Sequence, residues 1–181
     1  MSDDSNDESF DELLGRTVGK LNRIFDGESG LSTGDMAELR RVEPDEPYTP
    51  ALWKLMVDLD LEQTPGWLSS EERETRWAAL MMGMAMNAGL HDYQTPLGDA
   101  LAEAGWSELR FVRLLRARGT RLVEEVRRMA QYLGSKDQRA DWTDVGRLLF
   151  SQQGDAADSY RRDIARKYYR ALYRKEAAAE A

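Results

Sequence analysis

Seven arginines lie between residues 107 and 133 of a 181-residue chain whose formal net charge is −8. An arginine guanidinium stays charged at neutral pH and can bind two oxygens of a phosphate or carboxylate at once. A cluster of this residue type therefore has the chemistry of an anion-binding surface. Its members are Arg110, Arg113, Arg116, Arg118, Arg121, Arg127 and Arg128.

The spacing of these arginines predicts two helices joined at Gly119. At about 100° per residue, Phe111 and Leu114 fall on one side of the first helix, and arginines recur every third residue on the other side. On the second helix an apolar stripe at positions 122, 126, 129 and 133 leaves Arg127 and Arg128 outside it. A basic helical hairpin with exposed guanidinium groups is the expected result.

Charge is unevenly distributed along the chain. Residues 1–109 contain 8 basic and 23 acidic residues, a net charge of −15, whereas residues 110–174 contain 16 basic and 8 acidic residues, a net charge of +8. For any single arginine, a solvated helix face or an i,i+4 pair such as Glu124 with Arg128 is the simpler explanation. For the whole set, the regional imbalance favours contact with nucleic acid.

The last predicted helix, residues 156–175, carries a second basic face. Arg162, Arg166 and Arg170 share this face with Tyr169 and Tyr173. Arginines and tyrosines interleaved in this way can bind phosphates and stack on bases. The alternative is that the tyrosines only shield neighbouring aliphatic side chains.

Residue types and motifs argue against an enzyme. The chain has no cysteine, and it shows no glycine-rich phosphate loop, nucleophile elbow or metal-spaced histidine set. The single histidine, His91, follows a predicted helix end and is expected at the surface.

The longest apolar run, residues 78–86, is about half the length of a membrane span. We therefore expect a cytoplasmic protein with no cofactor, no metal and no membrane contact.

Helical periodicity recurs along the chain, and no stretch sustains the alternation typical of strands. We expect an all-α fold of about eight or nine helices in two packed bundles. Residues 1–9 are expected to form a disordered acidic leader, 10–92 an N-terminal bundle and 93–181 a basic C-terminal bundle. The capping pair Ser69 and Glu72 precedes the most apolar helix, which should be central to the first bundle.

Short segments in a fixed order carry a resemblance to a known family. They are residues 37–42 (AELRRV), 50–55 (PALWKL), 97–105 (LGDALAEAG), 110–111 (RF) with 114–117 (LLRA), 126–128 (VRR) and 141–142 (DW). Over most of the chain their order and spacing resemble the CasB family. CasB is the small subunit of type I-E Cascade, an RNA-guided CRISPR surveillance complex.

The resemblance implies a non-catalytic helical subunit of an antiviral complex. It implies two copies lying beside the backbone and large subunits, in contact with guide RNA, target DNA and the displaced DNA strand of the R-loop. The basic positions that match the family are Arg41, Arg110, Arg116, Arg127 and Arg128. The helix faces alone, without the resemblance, add Arg113, Arg118, Arg121, Arg162 and Arg166 as candidate nucleic-acid contacts.

Two other functions fit the charge pattern. One is a helix-turn-helix regulator, in which one arginine helix enters the major groove of DNA. Against it, positive charge is spread over helices at both ends of the C-terminal half. The other is a protein adaptor whose basic and acidic halves bind partners of opposite charge.

Overall fold

A computed structural model describes residues 9–28 and 30–181. Within them the chain forms nine α-helices and no β-strand, which confirms the predicted all-α fold. A short π-helical segment, Ile24–Glu28, continues the first helix. The α-helices are α1 (Phe10–Arg23), α2 (Thr33–Arg41), α3 (Pro50–Asp58), α4 (Ser70–Met86), α5 (Leu97–Ala104), α6 (Glu108–Arg116), α7 (Gly119–Ser135), α8 (Trp142–Phe150) and α9 (Gly154–Glu180).

Serine caps begin three of these helices. The predicted pair at α4 is confirmed: the Glu72 N–H donates to the Ser69 hydroxyl, and the Glu72 carboxylate accepts from the Ser69 N–H, both at 3.2 Å. Ser32 caps α2 in the same way. Ser9 caps α1, while residues 1–8 of the predicted leader lie outside the described residues.

Helix α4 lies at the centre of the molecule. Its side chains Trp77, Leu80, Met81 and Met82 have no accessible surface, and it packs against α1, α2, α7 and α8. The methionines therefore fill the core, as expected from their flexible side chains. Because α4 contacts helices from both halves of the chain, one continuous core joins them, and the division near residue 92 stays a prediction.

The two arginine helices are fixed to this core through their apolar sides. Phe111 of α6 stacks on Tyr168 of α9, with ring centroids 3.8 Å apart and planes 9° apart. The Tyr168 hydroxyl donates to the Trp106 carbonyl oxygen at 2.6 Å, and burial raises the pKa of Tyr168 to about 12, which keeps this donor protonated. The predicted stripe of α7, at 122, 126, 129 and 133, is fully buried.

The expectation of a surface histidine is wrong. His91 is 8% exposed, and its Nδ1 accepts a hydrogen bond from the Trp142 backbone N–H at 3.2 Å. Tyr93 meets the imidazole edge-on, with centroids 4.2 Å apart. Burial lowers the pKa of His91, so the neutral ring acts as an acceptor that joins the segment after α4 to the start of α8.

In the part of the chain that the structure describes, no helix is both long and apolar enough to cross a membrane.

Candidate nucleic-acid interface

A surface groove of about 620 Å³ lies between α6 and α7. Five of the ten predicted arginines line it: Arg113, Arg116, Arg118, Arg121 and Arg128. Its remaining walls are Leu109, Val112, Ala117, Glu124 and Glu125. The hairpin predicted from residue spacing thus gathers half of the candidate residues around one cavity.

Three of these arginines have no intramolecular partner among the described residues. Arg113, Arg116 and Arg121 are exposed, and their guanidinium groups make no hydrogen bond or ion pair with the rest of the protein. Their helices are held by buried neighbours such as Phe111 and Leu122. Both helices are therefore anchored to the core, and the charged groups that extend into solvent are available to an external anion.

Acidic residues only partly offset this charge. Glu125 is buried and accepts a hydrogen bond from Arg128 at 2.6 Å, while Glu124 is exposed at the rim of the groove. Among the described residues, five arginines and two glutamates line the groove and give it a formal charge of +3. A cavity with excess positive charge favours an anionic ligand.

Arg118 has a structural role as well as a position in the groove. Its Nε donates to the Gln152 carbonyl oxygen at 2.7 Å, and its Nη1 donates to the Leu115 and Ala117 carbonyl oxygens at 3.0 and 2.9 Å. The Gly119 N–H donates to the Gln152 side chain at 2.7 Å. These bonds fix the turn between α6 and α7 and so determine the angle at which the arginine faces meet.

Arg110 lies in an adjoining groove of about 530 Å³, whose walls include Arg113 and Arg128. Its guanidinium carbon is 5.3 Å from the centre of the Trp106 ring and 5.9 Å from that of Tyr132. Both distances are within cation–π range. The aromatic rings therefore position Arg110 beside the first groove without neutralising its charge.

The other four candidates lie outside these two grooves. Arg127 is on a different side of α7, where it donates to the Val42 carbonyl oxygen at 3.0 Å and pairs with Glu43 at 3.1 Å. Arg41, Arg162 and Arg166 are exposed on α2 and α9. A phosphate at Arg127 would have to displace Glu43, so its role as a nucleic-acid contact stays a prediction.

Sequence reasoning missed arginines that hold the fold together. Arg161 is 7% exposed and donates to the carbonyl oxygens of Leu115, Ser151 and Ala157 at 3.1, 2.8 and 3.2 Å. Burial lowers the pKa of this guanidinium to about 10. The signal was present, because Arg161 follows Ala157 by four residues and precedes Ile164 by three, on the buried stripe of α9.

One tyrosine of the predicted exposed face of α9, Tyr169, is partly buried. Tyr173 is 66% exposed, as expected. The Tyr169 ring meets the Phe111 ring edge-on, with centroids 6.0 Å apart, so part of the Tyr169 ring belongs to the core.

No group of three or more acidic or histidine side chains in the described ranges is arranged to hold a metal ion.

Solved structures of other proteins share the fold of this chain. No curated protein matches this sequence. A chain in the crystal structure of E. coli Cascade bound to a PAM-containing double-stranded DNA target is similar, with a TM-score of 0.65 and 22% identity over 86% of this chain and 96% of that one. CasB from Thermobifida fusca is also similar, with a TM-score of 0.67 and 16% identity over 88% of this chain and 97% of that one.

At these identities the two structures show a shared fold. The sequence itself matches the family model of CRISPR-associated protein Cse2 over residues 35–169, which is most of the chain. That span begins in α2 and ends in α9, and it contains both arginine helices and the groove between them. The chain belongs to the Cse2 family of CRISPR-associated proteins.

Proposed function

We propose that this chain is the non-catalytic small subunit of a Cascade complex and holds nucleic acid through the groove between α6 and α7. The observation that carries the proposal is the set Arg113, Arg116 and Arg121, which line one groove without an intramolecular partner among the described residues. Phosphates are the ligands that such groups fit best, because a guanidinium forms paired hydrogen bonds with phosphate oxygens.

Phosphate binding suits a complex in which the guide RNA, and not this subunit, recognises the sequence of the target DNA. In RNA-guided recognition, pairing with the guide reads the target, and the protein holds backbone and displaced strand. Arginines that bind phosphates carry no base preference. The partners are accordingly guide RNA, target and non-target DNA, the backbone and large subunits of Cascade, and a second copy of this chain. Family membership and the similarity to a chain of DNA-bound E. coli Cascade support this assignment.

The proposal is tested in the assembled complex. Arg116→Ala should accelerate collapse of a preformed R-loop after the complex is challenged with competitor DNA, because one phosphate contact is lost. Lys20→Ala is the matched control, since Lys20 is an exposed cation on α1 that does not line either groove. Arg127→Ala should have a smaller effect than Arg116→Ala, because Arg127 already pairs with Glu43.

Two results would contradict the proposal. Equal R-loop lifetimes for Arg116→Ala and Lys20→Ala would show that the groove does not hold nucleic acid. A changed ranking of mismatched targets would show that the protein reads bases. If the isolated chain bound one duplex sequence tightly and specifically, the helix-turn-helix regulator would become the better function.

A measurement on the isolated chain gives the number of contacts. For single-stranded DNA, the slope of log affinity against log salt concentration decreases by about 0.7 for each phosphate contact removed. The triple variant of Arg113, Arg116 and Arg121 to Ala should therefore reduce the slope by about 2. An unchanged slope would mean that these arginines do not contact phosphates.

A further inference from the structure

A tryptophan near the groove is exposed to an unusual degree. The Trp67 side chain is 63% accessible, whereas Trp77, Trp106 and Trp142 are at most 4% accessible. It lies in the loop between α3 and α4 and lines a third groove of about 660 Å³. Leaving so large an apolar ring in water is unfavourable, so the position calls for an explanation other than core packing.

The Trp67 ring is held in place by contacts with other aromatic rings. It packs edge-to-face on Phe10 with centroids 5.0 Å apart. Phe10 packs on Phe150 at 5.2 Å, and Phe150 packs on the buried Trp77 at 4.6 Å. A chain of aromatic contacts therefore connects the exposed indole to the core.

The loop that carries Trp67 is fixed as well. The buried guanidinium of Arg73 donates to the carbonyl oxygens of Glu62, Pro65 and Leu68. Leu68 directly follows Trp67 in the sequence, and Pro65 precedes it by two residues. These hydrogen bonds fix the loop that carries the indole. A fixed loop loses less conformational entropy when a ligand binds against Trp67.

The groove at Trp67 adjoins the arginine groove. Arg118 lines both cavities, and the third groove also contains Arg76, Gln152 and Gln153. Of the residues that the structure describes, Glu72 is the one acidic residue lining this groove, and it pairs with Arg76 at 3.3 Å. A ligand that extends from the arginine groove past Arg118 would enter the groove that the indole lines.

We infer that Trp67 is a stacking platform for an unpaired base of a single strand whose phosphates follow the arginine groove. This inference rests on the proposed function and deepens it. A flat aromatic face stacks on any base, so it adds affinity without sequence preference. The base must be unpaired, because the bases of a duplex are already stacked and paired with each other. The site therefore selects single-stranded nucleic acid, of which the displaced strand of an R-loop is one source.

Equilibrium binding of the full chain at low salt tests the inference with two probes. One is a short fluorescent oligothymidylate, and the other is an abasic oligonucleotide of equal length, which has the phosphates but no bases. Trp67→Ala should weaken binding of the oligothymidylate about tenfold, within the range measured for base–aromatic stacking. It should leave binding of the abasic probe unchanged, and Trp67→Phe should restore most of the affinity.

Two controls separate this inference from the proposed function. Tyr48→Ala truncates an aromatic side chain that is 77% exposed and lies outside the grooves, so it should leave both probes unaffected. Arg116→Ala should weaken both probes equally, because it removes a phosphate contact. If Arg116→Ala has no effect on either probe, the arginine groove is refuted, and the inference built on it is refuted as well.

The stacking inference is overturned on its own by three results. These are unchanged oligothymidylate binding by Trp67→Ala, an equal loss for the abasic probe, and equal affinity of the wild-type chain for the two probes. If Trp67→Ala binds the oligothymidylate normally but fails to enter the assembled complex, the indole contacts a protein partner and the inference is wrong.

Discussion

Replacing Gly98 by alanine should destabilise the fold by forcing α5 away from α9. A Cβ atom at this position would overlap the Ile164 carbonyl oxygen and would lie 2.7 Å from the Tyr168 nitrogen and 2.9 Å from Lys167 Cβ. Ordinary contacts of a Cβ atom are 3.4 Å or longer. Because two of the three atoms belong to the backbone, side-chain rotation cannot relieve the overlap.

The size of the effect follows from two opposing contributions. Overpacking of a core costs about 1–3 kcal/mol and occasionally more, and the rigid neighbours at Gly98 place this site at the upper end. Alanine improves helix propensity by up to about 1 kcal/mol. The net loss should be about 2 kcal/mol, or a decrease of about 4–8 °C in the melting temperature for a chain of this size.

Gly15→Ala is the matched control. Gly15 lies inside α1, and a Cβ atom there would have no neighbour within 4 Å. The same substitution should therefore stabilise the protein by up to about 1 kcal/mol through helix propensity alone. Urea unfolding followed by circular dichroism measures both variants. Unfolding of Gly98→Ala at the wild-type urea concentration, or an equal loss of stability in Gly15→Ala, would show that the Cβ overlap does not destabilise the fold.

Three further predictions concern polar groups in the fold. Asp11 accepts hydrogen bonds from Arg147 at 2.7 and 3.0 Å, which lower its pKa from 3.8. Asp11→Asn should thus cost about 1 kcal/mol at neutral pH. The deficit should vanish in strong acid, as pH falls through the lowered folded-state pKa, and urea unfolding at both pH values checks this. Burial lowers the pKa of His91 from 6.5. The unfolded chain therefore binds the proton first, and stability falls as pH decreases below 6.5. The melting temperature of His91→Asn should change less between neutral and mildly acidic pH than that of the wild type. Arg161→Met removes side-chain hydrogen bonds to three carbonyl oxygens, of which the Leu115 oxygen keeps a bond from Arg118, and should cost about 2 kcal/mol in urea unfolding, whereas Arg162→Met should be nearly neutral.

Local sequence signals predicted the helices well. The cap formed by Ser69 with Glu72 and the apolar stripe of α7 depend on residues close in the sequence, so they can be predicted without tertiary information. The same periodicity placed the arginines of α6 opposite Phe111 and Leu114. Local signals did not show that His91 is buried, because its partner, Trp142, is 51 residues away.

Two neighbouring arginines have different environments that helix periodicity cannot predict. Arg127 and Arg128 are adjacent on α7, yet Arg127 is bound to Val42 and Glu43, whereas Arg128 lines the groove. Both fall outside the apolar stripe, so helix periodicity assigns them the same environment. Their difference arises because α7 packs beside the end of α2, a contact between residues about 85 positions apart in the chain.

The sequence by itself determined an all-α chain with a basic hairpin in its C-terminal half, because helix formation, capping and amphipathic periodicity depend on nearby residues. Only the tertiary structure decided which guanidinium groups remain available. Arg113, Arg116 and Arg121 line a groove, while Arg161 is buried and donates to carbonyl oxygens of distant segments. The physical reason is that charge and periodicity define a helix face, whereas packing against other helices determines whether that face meets protein or solvent.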